Sequence, residues 1–204
     1  MRSDRASGPL RRVLAALVLL AAAAGPSLAQ EHVFVTTPGD PPPGPTTCSL
    51  RQALSGAGGG CVRSHSNSPW HRVVEMAPWL ANHHLVLEQG QLEVVTDAYP
   101  GQVGLLNLRG HGLVVDAAGK SRAMKIIGNA AQLGSAFVME DVTVTGGVAT
   151  GFVPGMTDDT GAGGGILKIG NSDLILKRSR VHGNRANFGG GIAAMVIMMA
   201  VSPP

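Results

Sequence analysis

Apolar and polar residues alternate in short runs along the second half of the chain. His84–Glu88, Gln91–Val95, Val103–Leu108, Gly112–Val115 and Ala123–Ile127 each alternate in this way, with Gly, Asp and Asn between them. Period two with such punctuation predicts β-strands joined by tight turns. Earlier in the chain the pattern is different. Pro38 to Pro45 holds five prolines and two glycines in eight residues, which predicts extended chain and no packed element. Ser49 and Gln52 then stand at capping-box spacing, and Leu50, Ala53 and Leu54 share one helical face. The four glycines between Ser55 and Gly60 stop this helix. One turn is not stable alone, so its apolar face must lie on a neighbour.

The strand pattern also repeats. Phe137–Gly147 aligns with Leu174–Asn184 at an offset of 37 residues, and Gly163–Ile166 aligns with Gly189–Ile192 at an offset of 26. The first copy therefore carries eleven extra residues between its two blocks. Strand pairs and glycine corners at such periods predict an all-β solenoid, a parallel β-helix of about five coils. No coil is stable alone, and the short helix is placed to cover the open N-terminal end. The inserted stretch Val148–Ala162 lacks alternation. It is expected to project as a loop, with Val144 and Ile166 returning to positions equivalent to Val181 and Ile192.

The start of the chain divides the sequence further. Arg11-Arg12 precede an apolar run from Val13 to Gly25, and Ser27-Leu28-Ala29 follows. That order predicts a signal peptide over residues 1–29, cleaved after Ala29. The run is too short for a bilayer core, which needs about 20 residues. The expected layout is then a Pro-rich segment over 30–47, a cap region over 48–82, and repeats over 83–204. The formal charge of +3 resides in the leader, where Arg2, Arg5, Arg11 and Arg12 face Asp4. The remainder is neutral, so no phosphate-binding surplus points to nucleic acid. The 29 glycines and 14% charged residues argue against a helical bundle. Export permits a disulfide between Cys48 and Cys61, which would close a loop of moderate length and add about 3 kcal/mol. The alternative is two free thiols; without nearby His they make half a zinc site at best.

Cys48-Ser49-Leu50-Arg51-Gln52-Ala53-Leu54 resembles the CSLREA motif near the N-terminus of exported bacterial right-handed parallel β-helix proteins, with Gln52 in place of the usual acidic residue. Leu85–Val94 looks like the strand pair that follows in that family, and Val114–Lys120 is similar to its IDGAGK turn. Gly183–Ile192 resembles the glycine-rich GGGI repeat shared with polymorphic outer-membrane proteins. The resemblance runs from about Val33 to Ile192 and implies a pectate-lyase-like, right-handed β-helix at the cell surface or outside the cell. Relatives continue for many coils, so the sequence reads as a fragment, its C-terminal end truncated. Ala193–Val201 is expected to be one last strand or the start of missing coils.

Candidate chemistry is sparse. Asp158 and Asp159 are adjacent on the inserted loop and are the first candidates for ligand or weak calcium binding, since loops on rigid scaffolds carry function. Gly110-His111-Gly112 resembles an element of polygalacturonase-type enzymes, but the other ordered motifs of those enzymes are missing; it is read as a solvated turn. Asp116 is expected to form a turn by accepting backbone N–H groups, and Asn184 and Asn187 suit coil corners. His83 and His84 lack metal spacing. Trp70 and Trp79 are expected in the core or cap. No P-loop, dinucleotide fingerprint or nucleophile elbow occurs. The expected function is that of a monomeric, secreted or cell-surface, adhesin-like scaffold without cofactor or catalysis, binding a polysaccharide or cell-surface partner. The alternative is a polysaccharide lyase or glycoside hydrolase with an incomplete site.

Overall fold

A computed structural model describes residues 30–55, 60–62, 71–96, 104–128, 134–151 and 161–195. The leader, Trp70, the Asp158-Asp159 pair and the chain beyond Met195 lie outside these residues. The described chain is mostly β, and every strand pairing in it is parallel.

The strands are β1 (Glu31–Val35), β2 (His71–Met76), β3 (His84–Val86), β4 (Leu92–Thr96), β5 (Leu105–Asp116), β6 (Met124–Gly128) and β7 (Ala136–Thr145). They continue as β8 (Val148–Ala149), β9 (Ile166–Ile169), β10 (Asp173–Lys177), β11 (Arg180–Val181), β12 (Arg185–Ala186) and β13 (Ile192–Met195). One sheet runs β1-β2-β5-β7-β10, with β3 beside β5 and β11 beside β7; a second runs β4-β6-β9-β13, and β8 pairs β12. The chain thus visits the sheets in turn and returns one strand further along.

Repeat offset and sheet register coincide. Leu174 pairs Phe137, Val181 pairs Val144 and Arg185 pairs Val148, each 37 residues apart. Ile192 pairs Ile166, 26 apart. Stacking puts like beside like, because a residue that fits the interior in one pass fits it in the next. The inward columns are Leu106-Phe137-Leu174 and Val33-Val74-Leu108-Met139-Leu176 in the first sheet, and Leu92-Met124-Ile166-Ile192 in the second. Most of their members have no exposed surface.

The ends of the expected loop Val148–Ala162 are packed and do not project: Val148–Ala149 form β8 on β12, Ala162 pairs with Phe188, and Ala149 and Ala162 are buried, while residues 152–160 lie outside the described chain. Two further features depart from the sequence pattern. The stack begins at Glu31, well before residue 83, because β1 and β2 join the first sheet. In β2 both Val73 and Val74 are fully buried, so the alternation that marks a strand is lost there. Second, Val103–Leu108 and Gly112–Val115 belong to one bent strand. The bend falls at Gly110-His111-Gly112, and its register shift faces Asp141 of β7. A side chain at 110 would press on the Asp141 carbonyl and Val142, and Gly112 has a φ of 84°. Those glycines serve the corner.

The helix α1 (Leu50–Ser55) packs against β4, β1 and β2 and buries Leu50, Ala53 and Leu54. Ser49 and Gln52 cap it reciprocally. The Ser49 N–H donates to Gln52 Oε1 at 3.2 Å, and the Gln52 N–H donates to Ser49 Oγ at 3.3 Å. Gln52 Nε2 also donates to the Gly44 carbonyl at 2.9 Å, which a carboxylate cannot do. Gln52→Glu is therefore expected to lose about 1–3 kcal/mol at pH 7 in urea unfolding. The deficit should narrow below about pH 4, where a protonated Glu can donate again; a deficit independent of pH would contradict this.

Cys48 and Cys61 form a disulfide. Cys48 is buried, and its carbonyl accepts the N–H groups of Thr36 and Thr37 just after β1. Behind α1, Arg51 grips Asp40 through two hydrogen bonds of 2.8 and 2.7 Å and donates to the carbonyls of Gln91 and Gly90. Asp40, 3% exposed, also accepts the N–H groups of Glu88 and Gln89. Burial alone would raise the Asp40 carboxyl's pKa. The Arg51 hydrogen bonds and charge, with those two N–H groups, outweigh it and hold the carboxyl below its usual range. Deeper in the stack, Arg122 is 6% exposed and donates to the Ala162 and Gly163 carbonyls and to Gln91 Oε1, tying three successive passes together.

Candidate functional site

The outer face of the first sheet carries a charged cleft. Outward residues of successive strands fall in register as Glu75, Arg109, Glu140 and Lys177, so charge alternates in sign from strand to strand. Neighbouring strands lie about 4.8 Å apart, close enough for each charge to meet its opposite. Beside this row the chain turns its corner once per pass on a residue with left-handed backbone: Asn82 (φ 58°), His111 (50°), Asp141 (59°) and Arg178 (49°). Non-glycine residues seldom adopt this conformation, Asn and Asp most readily. Corner and row together line a cleft of about 230 Å³ formed by Glu75, Arg109, His111, Glu140, Asp141 and Arg178.

The charges in it are paired. His111 Nε2 donates to Glu75 Oε1 at 2.9 Å, and Arg109 lies 3.9 Å from the other oxygen of Glu75. Arg178 donates to Glu140 Oε1 at 2.6 Å. That hydrogen bond, more than the opposing effect of partial burial, holds the Glu140 carboxyl below its usual range, with the charges of Arg178, Lys177 and Arg109 adding to it. Glu140 is consequently ionised at neutral pH. It cannot serve as a general acid, which must hold its proton near the working pH.

His111, read from sequence as part of a solvated turn, is exposed at the corner of β5, and its ring also meets Glu75. Nothing in the sequence joins Glu75, Arg109 and Glu140, which lie far apart along the chain and meet only through strand stacking. The remaining candidates fall elsewhere. Asp116 Oδ1 accepts the Ala118 N–H at 2.8 Å, and Oδ2 lies 3.1 Å from His84 Nε2. His83 meets the Pro38 carbonyl through its ring. Asn184 Oδ1 accepts the Gly147 N–H at 2.8 Å while its Nδ2 donates to the Val144 and His182 carbonyls, so it holds a corner together. Asn187 Nδ2 donates to the Thr150 carbonyl. Trp79 is 71% exposed on a 3-10 turn (Pro78–Leu80), contrary to the expectation that it is core or cap; Leu80 is the buried residue there.

Among the described residues no three His, Cys, Asp or Glu side chains converge on a possible metal position. No helix among them is long and apolar enough to cross a membrane. Compared with family models, curated proteins and solved structures, the chain matches none.

Proposed function

We propose that the chain is an exported right-handed parallel β-helix of about five coils that binds a polysaccharide or cell-surface partner through its charged outer face, without catalysis. Support for the coil arrangement comes from the parallel register of the recurring strands, and right-handed crossovers are the general rule for such connections. The observation that carries the non-catalytic reading is the state of the cleft. Glu75 is engaged by His111 and Arg109, and Glu140 by Arg178. Acid–base chemistry needs two groups with pKa values pushed apart; the cleft lowers Glu140 and pairs it. Fixed, alternating charges instead suit recognition of a polar, repetitive ligand.

A glycoside hydrolase remains the second reading for one reason. Glu75 and Glu140 stand on one face two strands apart, a backbone spacing of about 9.6 Å, which long side chains leaning toward each other could bring into the range of about 6.5–9.5 Å between the carboxyls of inverting enzymes. One experiment decides between them. Affinity electrophoresis in gels of neutral and uronate-containing polysaccharides is expected to show retardation that weakens in Arg109→Ala, with no rise in reducing ends. Release of reducing ends, abolished by Glu75→Gln, would establish the enzyme reading. Equal mobility of wild type and Arg109→Ala in every gel would remove the cleft as a binding face.

A further inference from the structure

Glu75 is met from both neighbouring strands. From β1, His32 Nδ1 lies 3.8 Å from Glu75 Oε2. From β5, Arg109 lies 3.9 Å from that same oxygen, and His111 Nε2 meets Oε1 at 2.9 Å. Stacking brings these groups together. Phe34 of β1 pairs Glu75, Glu75 pairs Arg109, and His32 shares the outward face with Phe34. His111 reaches Glu75 from the left-handed corner of β5. Both imidazoles are open to solvent, with 33% of the His32 side chain and 46% of that of His111 exposed. His71 lies on the same face at the start of β2.

The permanent charges along this row cancel. Glu75, Glu140 and Asp141 are balanced by Arg109, Arg178 and Lys177. Side-chain carboxylates and guanidiniums keep their charge between about pH 5.5 and 7.5, whereas imidazoles change theirs. The Glu140 carboxyl, held below its usual range by the Arg178 hydrogen bond, stays charged throughout that interval. Each imidazole that gains a proton therefore tips the row toward positive.

We propose that protonation of His32 and His111 turns this row from balanced to cationic, so that it captures a polyanionic polysaccharide in mildly acid surroundings and releases it at neutral pH. Sulfate or carboxylate groups of the sugar chain would enter the cleft of about 230 Å³ against Arg109 and Arg178. Phe34, 45% exposed with its ring centroid 6.2 Å from that of His32, offers a flat apolar face to a sugar ring beside them. Charges set one strand spacing apart, about 4.8 Å, suit a chain of regularly repeated charge better than a folded protein surface. The inference adds regulation to the binding-face reading above and rests on it.

The test uses the full chain and fluorescent dextran sulfate, whose own charge is constant over this interval, followed by anisotropy at fixed ionic strength. Binding is expected to be about tenfold tighter at pH 5.5 than at pH 7.5, from two added charges at close range. Neutral dextran is expected not to bind. His32→Gln with His111→Asn should bind equally at both pH values, at the wild-type level of pH 7.5. Asn suits position 111 because Asn82 holds the equivalent corner backbone. Each single variant should lose about half of the effect on a logarithmic scale. His71, His83, His84 and His182 remain in the double variant, so a pH ratio that survives there traces to overall charge and overturns the proposal. Tighter binding of polyglutamate than of dextran sulfate at pH 5.5 overturns the polysaccharide as ligand. Arg109→Ala separates the failures. Wild-type binding that ignores pH but weakens in Arg109→Ala overturns the switch alone. No binding at either pH, or binding untouched by Arg109→Ala, overturns the binding face and the switch with it.

Discussion

Asp40→Asn is expected to destabilise the protein by about 3–5 kcal/mol at pH 7, because removing one member of a buried pair leaves the other charge uncompensated. Arg51 would keep its two carbonyl contacts but lose the carboxylate that both neutralises and orients it. The sign of the pH dependence follows from the lowered Asp40 carboxyl. Its contribution is present above the unfolded value of about 3.9 and is lost as pH falls through the folded value. The gap between wild type and variant in denaturant unfolding should hence be widest at neutral pH and close in acid. A gap that persists unchanged in strong acid would show that the charge of the Asp40 carboxylate is not what the variant loses.

Leu50→Asp should have an effect of similar size for a different reason. Leu50 is 1% exposed on the face of α1 that covers the first strands. The substitution removes its apolar burial and places a carboxylate there, together roughly 4 kcal/mol or more. For a chain of this size that corresponds to a fall in Tm of about 8–16 °C. Leu50→Met, nearly equal in volume, should cost less than about 1.5 kcal/mol. Equal midpoints for the Asp and Met variants would mean that α1 does not cover the stack.

The helical turn and the recurring strand register were legible in the sequence because each follows from a simple rule. Ser49, Leu50, Gln52 and Leu54 lie within six residues of chain, and capping and face spacing are local rules. The 37-residue offset became the register of β7 and β10 because adjacent strands impose the same inward positions on each other. What stayed hidden is what stacking assembles. Asp40 meets the N–H groups of Glu88 and Gln89, Arg122 reaches the Ala162 carbonyl, and Glu75 meets His111. Each residue is an ordinary surface type in its own neighbourhood, and no local rule says which distant carboxylate or carbonyl it will find. β2 escaped for a related reason: Val73 and Val74 are both buried, so the face that should mark the outside of a strand is covered as well. Trp79 was misjudged because size argues for burial, whereas the turn that carries it buries Leu80 in its place.

The left-handed corner has a use in engineering. Asn82, His111, Asp141 and Arg178 show one backbone conformation accepting an amide, an imidazole, a carboxylate and a guanidinium. The fold thus sets the backbone at these four places while leaving side-chain chemistry open. They form a line of addressable sites about 4.8 Å apart, each spanning one rung of the sheet. A library randomised at these four codons alone, with Asn, Asp and Gly as the least strained choices, would vary the surface pattern along a fixed ruler while leaving the interior columns untouched.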